Sequence, residues 1–126
     1  MHLGLDVHGV IDQNLSYWKS LAQLIRKLGG EVTIITGESV SPKLFEELGG
    51  EVFWDHLVSI QDELSKALEP EGYNEFGRPL FPAEAWDSFK GKYCDEHGVT
   101  MHVDDTTRYG KYFHKTRFIL SDPKSL

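Results

Sequence analysis

The chain has 126 residues, of which 40% are hydrophobic and 26% charged, with a single cysteine, Cys94. That length suits one domain, residues 1–126, with a core that needs no staples, and the composition excludes a disordered, collagen-like or fibrous chain. One cysteine excludes an internal disulfide and a Cys-rich metal knot, and a formal net charge of −7 argues against bulk electrostatic binding to nucleic acid or an anionic membrane.

The N-terminal run Met1 to Gly9 carries no basic leader, and no apolar stretch approaches the ~18 residues of a spanning helix. These features predict a soluble, cytoplasmic protein that does not insert in a membrane. The first strand is expected over His2–Val7, ending at Asp6-Val7-His8-Gly9. Trp18, Leu21, Leu24, Ile25 and Leu28 repeat at helical spacing, so a helix is expected over Leu15–Leu28, capped by Asn14 and stopped by Gly29-Gly30. A β-branched strand over Glu31–Ile35 ends at Thr36-Gly37. Ser41-Pro42 opens a short helix to Leu48, followed by a brief strand over Val52–Trp54 and a helix over Ser59–Leu68.

Pro70, Gly72, Gly77, Pro79 and Pro82 break the pattern and predict a loop over Glu69–Pro82, a length more often functional than idle. A helix resumes between Ala83 and Ser88 and runs to about Glu96. The strand Val99–Val103 then closes on Asp104-Asp105, a turn covers Thr106–Phe113, a last strand spans Arg117–Leu120, and Ser121-Asp122-Pro123 ends the order. Strands alternating with helices in this rhythm predict right-handed βαβ units, hence an α/β, three-layer, Rossmann-like domain with a mostly parallel sheet. In such sheets ligands sit beyond the carboxyl ends of the strands, where the strand order reverses.

Three strand ends carry polar residues that a strand does not need: Asp6 and His8, Thr36-Gly37, and Asp104-Asp105. On parallel neighbours they project into one crevice. Three carboxylates there repel one another unless a cation sits between them. Hard oxygen ligands without thiolates favour Mg²⁺ over zinc, and such a cation invites a phosphate.

This arrangement resembles the haloacid-dehalogenase superfamily over nearly the whole chain. Leu3-Gly4-Leu5-Asp6-Val7-His8-Gly9-Val10 matches the first motif, a hydrophobic strand followed by Asp-x-Asp-Gly, with His8 in place of the second aspartate. Val32-Thr33-Ile34-Ile35-Thr36-Gly37 matches the second, and Met101-His102-Val103-Asp104-Asp105 the fourth. The resemblance implies a Mg²⁺-dependent phosphohydrolase with Asp6 as nucleophile. The ion would be held by Asp6, the main-chain carbonyl of His8, Asp104 and Asp105. The Thr36 hydroxyl and the Gly37 amide would hold phosphoryl oxygens. His8 would take over the acid/base work of the missing aspartate, or else only orient Asp6. The family's phosphate-pairing cation would be Lys90, with Lys92 and Arg78 as alternatives; Ser88 would cap the helix that carries Lys90. Arg78 would also contact a substrate phosphate.

Neither cap insertion point of the family has room for more than a helix or a loop, so the chain reads as capless. Its site is expected to be open, serving a phosphate on a small molecule, a nucleotide or a polynucleotide end, or to be closed by another subunit of an oligomer. The alternative is a phosphate or nucleotide binder that has lost turnover through His8. A signalling receiver has its acidic pair, phosphoacceptor and Thr in a different strand order, and a metal-dependent nuclease has no need of Thr36. His102, between Met101 and Val103, reads as a sheet-face histidine rather than a ligand, and His56, His97 and His114 show no ligand spacing. Cys94 and the three tryptophans, Trp18, Trp54 and Trp86, read as packing. Asp12 reads equally as part of a flap over the site or as a turn acid.

Overall fold

The computed structural model describes residues 1–121, so Asp122-Pro123 lies outside the described residues. Among the described residues there are seven strands: β1 (His2–Leu5), β2 (Glu31–Thr36), β3 (His56–Ser59), β4 (Gly72–Tyr73), β5 (Pro79–Leu80), β6 (Met101–Asp104) and β7 (Arg117–Leu120). The α-helices are α1 (Leu15–Lys27), α2 (Pro42–Glu47), α3 (Ile60–Ala67) and α4 (Ala83–Glu96), with 3-10 turns at Ile11–Gln13 and Thr107–Tyr112. Local chemistry sets most of these starts. The Asn14, Ser41 and Ser59 side chains accept the backbone N–H three residues on, and Pro42 occupies the first turn of α2. Among the described residues, no helix is long and apolar enough to cross a membrane.

Five strands form one parallel sheet in the order β3-β2-β1-β6-β7. The chain builds outward from β1 through β2 to β3, then returns to the other side of β1. The reversal therefore falls between β1 and β6, whose carboxyl ends carry Asp6 and Asp104. Pairing alternates the side chains between two faces. Leu3, Leu5, Val32, Ile34 and Val103 pack with α1 and α2; Ile35, Val58 and Val99 pack with α3 and α4, together with Ile60, Leu64 and Cys94. The result is an α/β fold of three layers, consistent with a Rossmann-like architecture.

Three local expectations are corrected. The third strand lies at His56–Ser59 rather than Val52–Trp54. Phe53 and Trp54 are apolar because they are buried against α2 and the sheet, Trp54 edge-on to both Phe53 and Phe45. Asp55 then joins the strand to β2, donating its N–H to the Val32 carbonyl at 2.8 Å and accepting the Val32 N–H on its carboxylate at 2.8 Å. The stretch Glu69–Pro82 is not a bare loop, for β4 and β5 make a small antiparallel hairpin. Asn74 ties its tip, accepting the Phe76 and Arg78 N–H groups at 2.9 and 2.8 Å, and Gly77 takes a φ of +78°. Helix α4 begins at Ala83, so Ser88 is a buried interior residue and not its cap.

The 3-10 turn Thr107–Tyr112 lies against α4 at Gly91, where a Cβ would run into the Tyr112 carbonyl. Gly→Ala inside a helix ordinarily stabilises by about 1 kcal/mol. Here the sign reverses. Gly91→Ala is expected to lower unfolding stability by about 1–3 kcal/mol in urea titration, the usual cost of an overpacked contact. A gain in stability would show that the turn gives way freely.

Candidate functional site

Asp6 directly follows β1 and still belongs to the sheet, donating its N–H to the Val103 carbonyl at 3.0 Å. Its side chain therefore falls on the same face as His102 and Asp104, two residues apart on β6. Lys90 reaches this point from α4. Its Nζ donates to Asp6 Oδ1 at 2.9 Å and to Asp104 Oδ2 at 2.6 Å. The cluster is out of water: Asp6 is 7% exposed, Lys90 3%, and His102 and Asp104 0%. Of the three cations considered from sequence, Lys90 alone touches Asp6; Lys92, two positions on along the helix, is exposed.

Burial pushes the Asp6 carboxyl up to about 7, with the Asp104 and Asp105 charges adding and Lys90 opposing. Burial acts on Asp104 in the same sense, but the His102 hydrogen bond and the Lys90 charge outweigh it and hold that carboxyl down at about 2. Burial also works against the Lys90 ammonium, and the two carboxylates more than restore it. Burial pushes the His102 imidazole below its ordinary value, with the Lys90 charge acting in the same sense and Asp104 opposing, which favours the neutral ring. With Asp104 ionised, His102 Nε2 carries the proton and donates to Asp104 Oδ2 at 3.0 Å. Nδ1 is then a bare acceptor with no partner among the described residues, against Gly4, where a Cβ would sit 2.7 Å away.

Asp105 completes a group of three carboxylates. One oxygen each from Asp6, Asp104 and Asp105 can be chosen so that all lie within 4.8 Å of one another. Lys90 balances one of the three charges and leaves two, the charge of a divalent cation. The donor set is all hard oxygen, and Asp105 is exposed, so an ion could enter. Gly9 makes room for Asp105. Its φ is +89°, and a Cβ there would collide with the Asp105 carboxylate. The residue that Gly9 accommodates is thus Asp105.

A cavity of about 240 Å³ opens above the cluster, lined by Asp6, Lys90, Asp105, Gly37, Trp86 and Tyr109 among others. Gly37 forms its wall at the end of β2. Thr36 is fully buried, and its hydroxyl oxygen accepts the Glu38 N–H at 3.2 Å, which leaves its O–H as a donor. Arg78 does not reach Asp6. It donates to the Gly37 carbonyl at 3.1 Å and lies 5.0 Å over the Trp86 ring.

His8 lines the same cavity, but its ring nitrogens bond carboxylates other than Asp6. Nε2 bonds Glu38 at 2.8 Å, Nδ1 bonds Asp12 at 3.3 Å, and the side chain is 55% exposed. Burial lowers its pKa, yet the hydrogen bonds and charges of Glu38 and Asp12 raise it above the ordinary imidazole value on balance. Asp12 acts as a turn acid as well, accepting the Gly9 N–H at 2.8 Å.

Sequence reasoning missed Trp86, Tyr109 and Thr106 in the cavity wall and Glu38 behind His8. It placed His102 on a sheet face, where it stands, but not against Asp104; the two-residue spacing along β6 was the available signal. The remaining expectations of packing fit the contacts. Cys94 is fully buried with its thiol pushed up to about 12, chiefly by burial, and Trp54 is in the core. His56 lies beside Glu31, and His97 stacks on Tyr93.

A buried carboxyl with a raised pKa takes up a proton on folding. Its contribution to stability therefore falls as pH rises from the ordinary aspartate value of 3.8 to about 7. In chelator-treated protein, Asp6→Asn should gain stability relative to the parent across that window, read by urea unfolding at stepped pH. A difference independent of pH would show that Asp6 is ionised throughout. For His8, NMR titration should find a pKa above the ordinary imidazole value, and Glu38→Gln should lower it.

Comparison of the chain with protein-family models, with curated proteins and with solved structures returned no match.

Proposed function

We propose that the chain is a Mg²⁺-dependent phosphohydrolase of the haloacid-dehalogenase type, without a cap domain, that passes a phosphoryl group through Asp6. The observation that carries the reading is the buried Lys90 bridging Asp6 and Asp104 at the point where the strand order reverses, with Asp105 alongside. A structural ion pair needs one carboxylate. Three carboxylates at an accessible cavity, under-neutralised by one lysine, suit phosphoryl chemistry.

The donor set of Asp6, the His8 main-chain carbonyl, Asp104 and Asp105 would hold the ion, and Mg²⁺ supplies the positive charge that lets carboxylate and phosphate approach. In the first step an Asp6 oxygen forms a bond to phosphorus, the ester P–O bond breaks, and the leaving oxygen takes a proton from His8. In the second step water attacks the phosphorus, neutral His8 accepts its proton, the bond to Asp6 breaks and phosphate leaves. Lys90 keeps Asp6 aimed and offsets charge gathering on the phosphoryl oxygens. The Gly37 amide and the Thr36 hydroxyl would receive those oxygens; Gly37 lines the cavity, while Thr36 is buried beside it in the chain. Glu38 and Asp12 favour the protonated ring of His8, the form needed to give a proton to the leaving group.

The same contacts favour a second reading. Both ring nitrogens of His8 are engaged away from Asp6, as in a phosphate binder with little turnover. A screen of phosphomonoesters with and without Mg²⁺ separates the two. The first reading expects Mg²⁺-dependent release of phosphate, reduced by about 10³-fold or more in Asp6→Asn. It expects His8→Ala to cost about 10²–10⁴-fold on a poor leaving group and less on p-nitrophenyl phosphate. The second expects an inactive parent that His8→Asp switches on. Under either, Mg²⁺ should raise the melting temperature, and Asp104→Ala should abolish the rise. Full activity of Asp6→Asn would contradict the assignment of the nucleophile.

A further inference from the structure

Beyond Trp86 the site does not end. The indole is a shared wall, with the 240 Å³ cavity over Asp6 on one side and an open concavity of about 480 Å³ on the other. Arg78 and Arg108 both line that second space, with Asn74, Phe81 and Asp87. Two of the chain's four arginines thus converge on one hollow of a protein whose net charge is −7.

Both guanidinium groups are held in place by the protein. Arg78 lies over the Trp86 ring with one N–H on the Gly37 carbonyl. Its backbone is fixed by Asn74 at the hairpin tip. Arg108 lies 4.9 Å over the Tyr109 ring, bonds Asp87 through Nε at 3.2 Å and bonds the Tyr109 hydroxyl at 3.2 Å. Tyr109 is buried and also meets Lys90, whose Nζ is 5.0 Å from its ring. The two arginines are therefore tied to the walls of the Asp6 site itself, one through Gly37 and Trp86 and one through Tyr109. Each keeps N–H groups with no other protein acceptor among the described residues. Asp87 offsets part of one charge, and the balance of the pair stays positive.

We propose that this hollow is a subsite for a second phosphate group, so that the preferred substrate is a small-molecule bisphosphate: one phosphate enters the Asp6 cavity and the other lies between Arg78 and Arg108. The inference rests on the phosphohydrolase reading for the first phosphate only. Two pre-oriented guanidinium forks match a dianionic phosphate better than a single carboxylate or a phosphodiester, each of which carries one charge. The cation–π stacking limits the side-chain entropy lost on binding.

The test compares kcat/KM for fructose 1,6-bisphosphate with that for fructose 6-phosphate, and for adenosine 3′,5′-bisphosphate with that for adenosine 5′-phosphate, on the full chain with Mg²⁺. The parent should favour at least one bisphosphate by about 10-fold or more, the scale of one charge-assisted contact. Arg108→Gln and Arg78→Gln should each reduce that ratio toward one. A carboxylate-bearing phosphomonoester, 3-phosphoglycerate, should gain less than the bisphosphate; an equal gain would replace phosphate by a general oxyanion and overturn the proposal as stated. A second readout does not need turnover: titration of the bisphosphates into Asp6→Asn, followed by the Trp86 indole N–H resonance. A shift that Arg108→Gln abolishes in a protein inactive on every phosphate would uphold the subsite and remove the hydrolase. Active protein with no bisphosphate preference and an unmoved Trp86 resonance would remove the subsite and leave the hydrolase standing. Neither activity nor shift would overturn both.

Discussion

Lys90 carries its ammonium into a space almost free of water, and two carboxylates meet it there. Burying one charge costs several kcal/mol unless it is paired, so each member of this cluster constrains the others. Asp104 is held down at about 2 by His102 and Lys90 together, while the Asp6 carboxyl, less completely compensated, is pushed up to about 7. The local sequence serves that geometry. Gly4 leaves space for the His102 ring, Gly9 leaves space for Asp105, and Gly91 brings the Thr107–Tyr112 turn, and with it Tyr109, against the helix that bears the lysine. Removal of Lys90 alone would strand buried carboxylates, whereas a divalent cation could balance what one lysine leaves uncompensated.

The charge balance also bears on the anionic substrate that the proposed function would require of an acidic chain. A net charge of −7 sets the distant field, but the cavity over Asp6 has its own balance, set by its three carboxylates, by Lys90, by any ion those carboxylates would hold and by the arginines of the neighbouring hollow. Bulk repulsion of a small phosphate is screened beyond roughly 10 Å at ordinary salt, so the last few ångströms decide binding. A long polyanion would still feel the acidic surface. On the proposed function, the acidic surface favours a small phosphate over nucleic acid as substrate.

Much of this cluster is legible in the amino-acid sequence. Asp6, Thr36 and Asp104 each close a β-branched or apolar strand, and parallel strands bring such ends together whatever the intervening sequence. Lys90 came from the family resemblance, with Lys92 and Arg78 beside it, and only the fold separates the three by bringing Lys90 to Asp6. The misreadings share a cause. Phe53 and Trp54 are apolar for tertiary packing, so local pattern placed a strand there and missed His56–Ser59, whose exposed His56 weakens its own signal. Trp86 and Tyr109 reach the cavity from a helix and a turn, and nothing in their own neighbourhoods marks that destination. Glu38 meets His8 across 30 residues of chain, a contact that only the folded sheet creates.

The central claim is that Asp6 accepts a phosphoryl group, and the most direct measurement is of the acceptor itself. The protein is incubated with acetyl phosphate and Mg²⁺, quenched in acid to preserve an acyl phosphate, and its peptides are mapped by mass spectrometry. The account predicts a hydroxylamine-labile phosphoryl group on the peptide containing Asp6, absent from Asp6→Asn. A phosphoryl group on any other residue, or one that survives in Asp6→Asn, would contradict it.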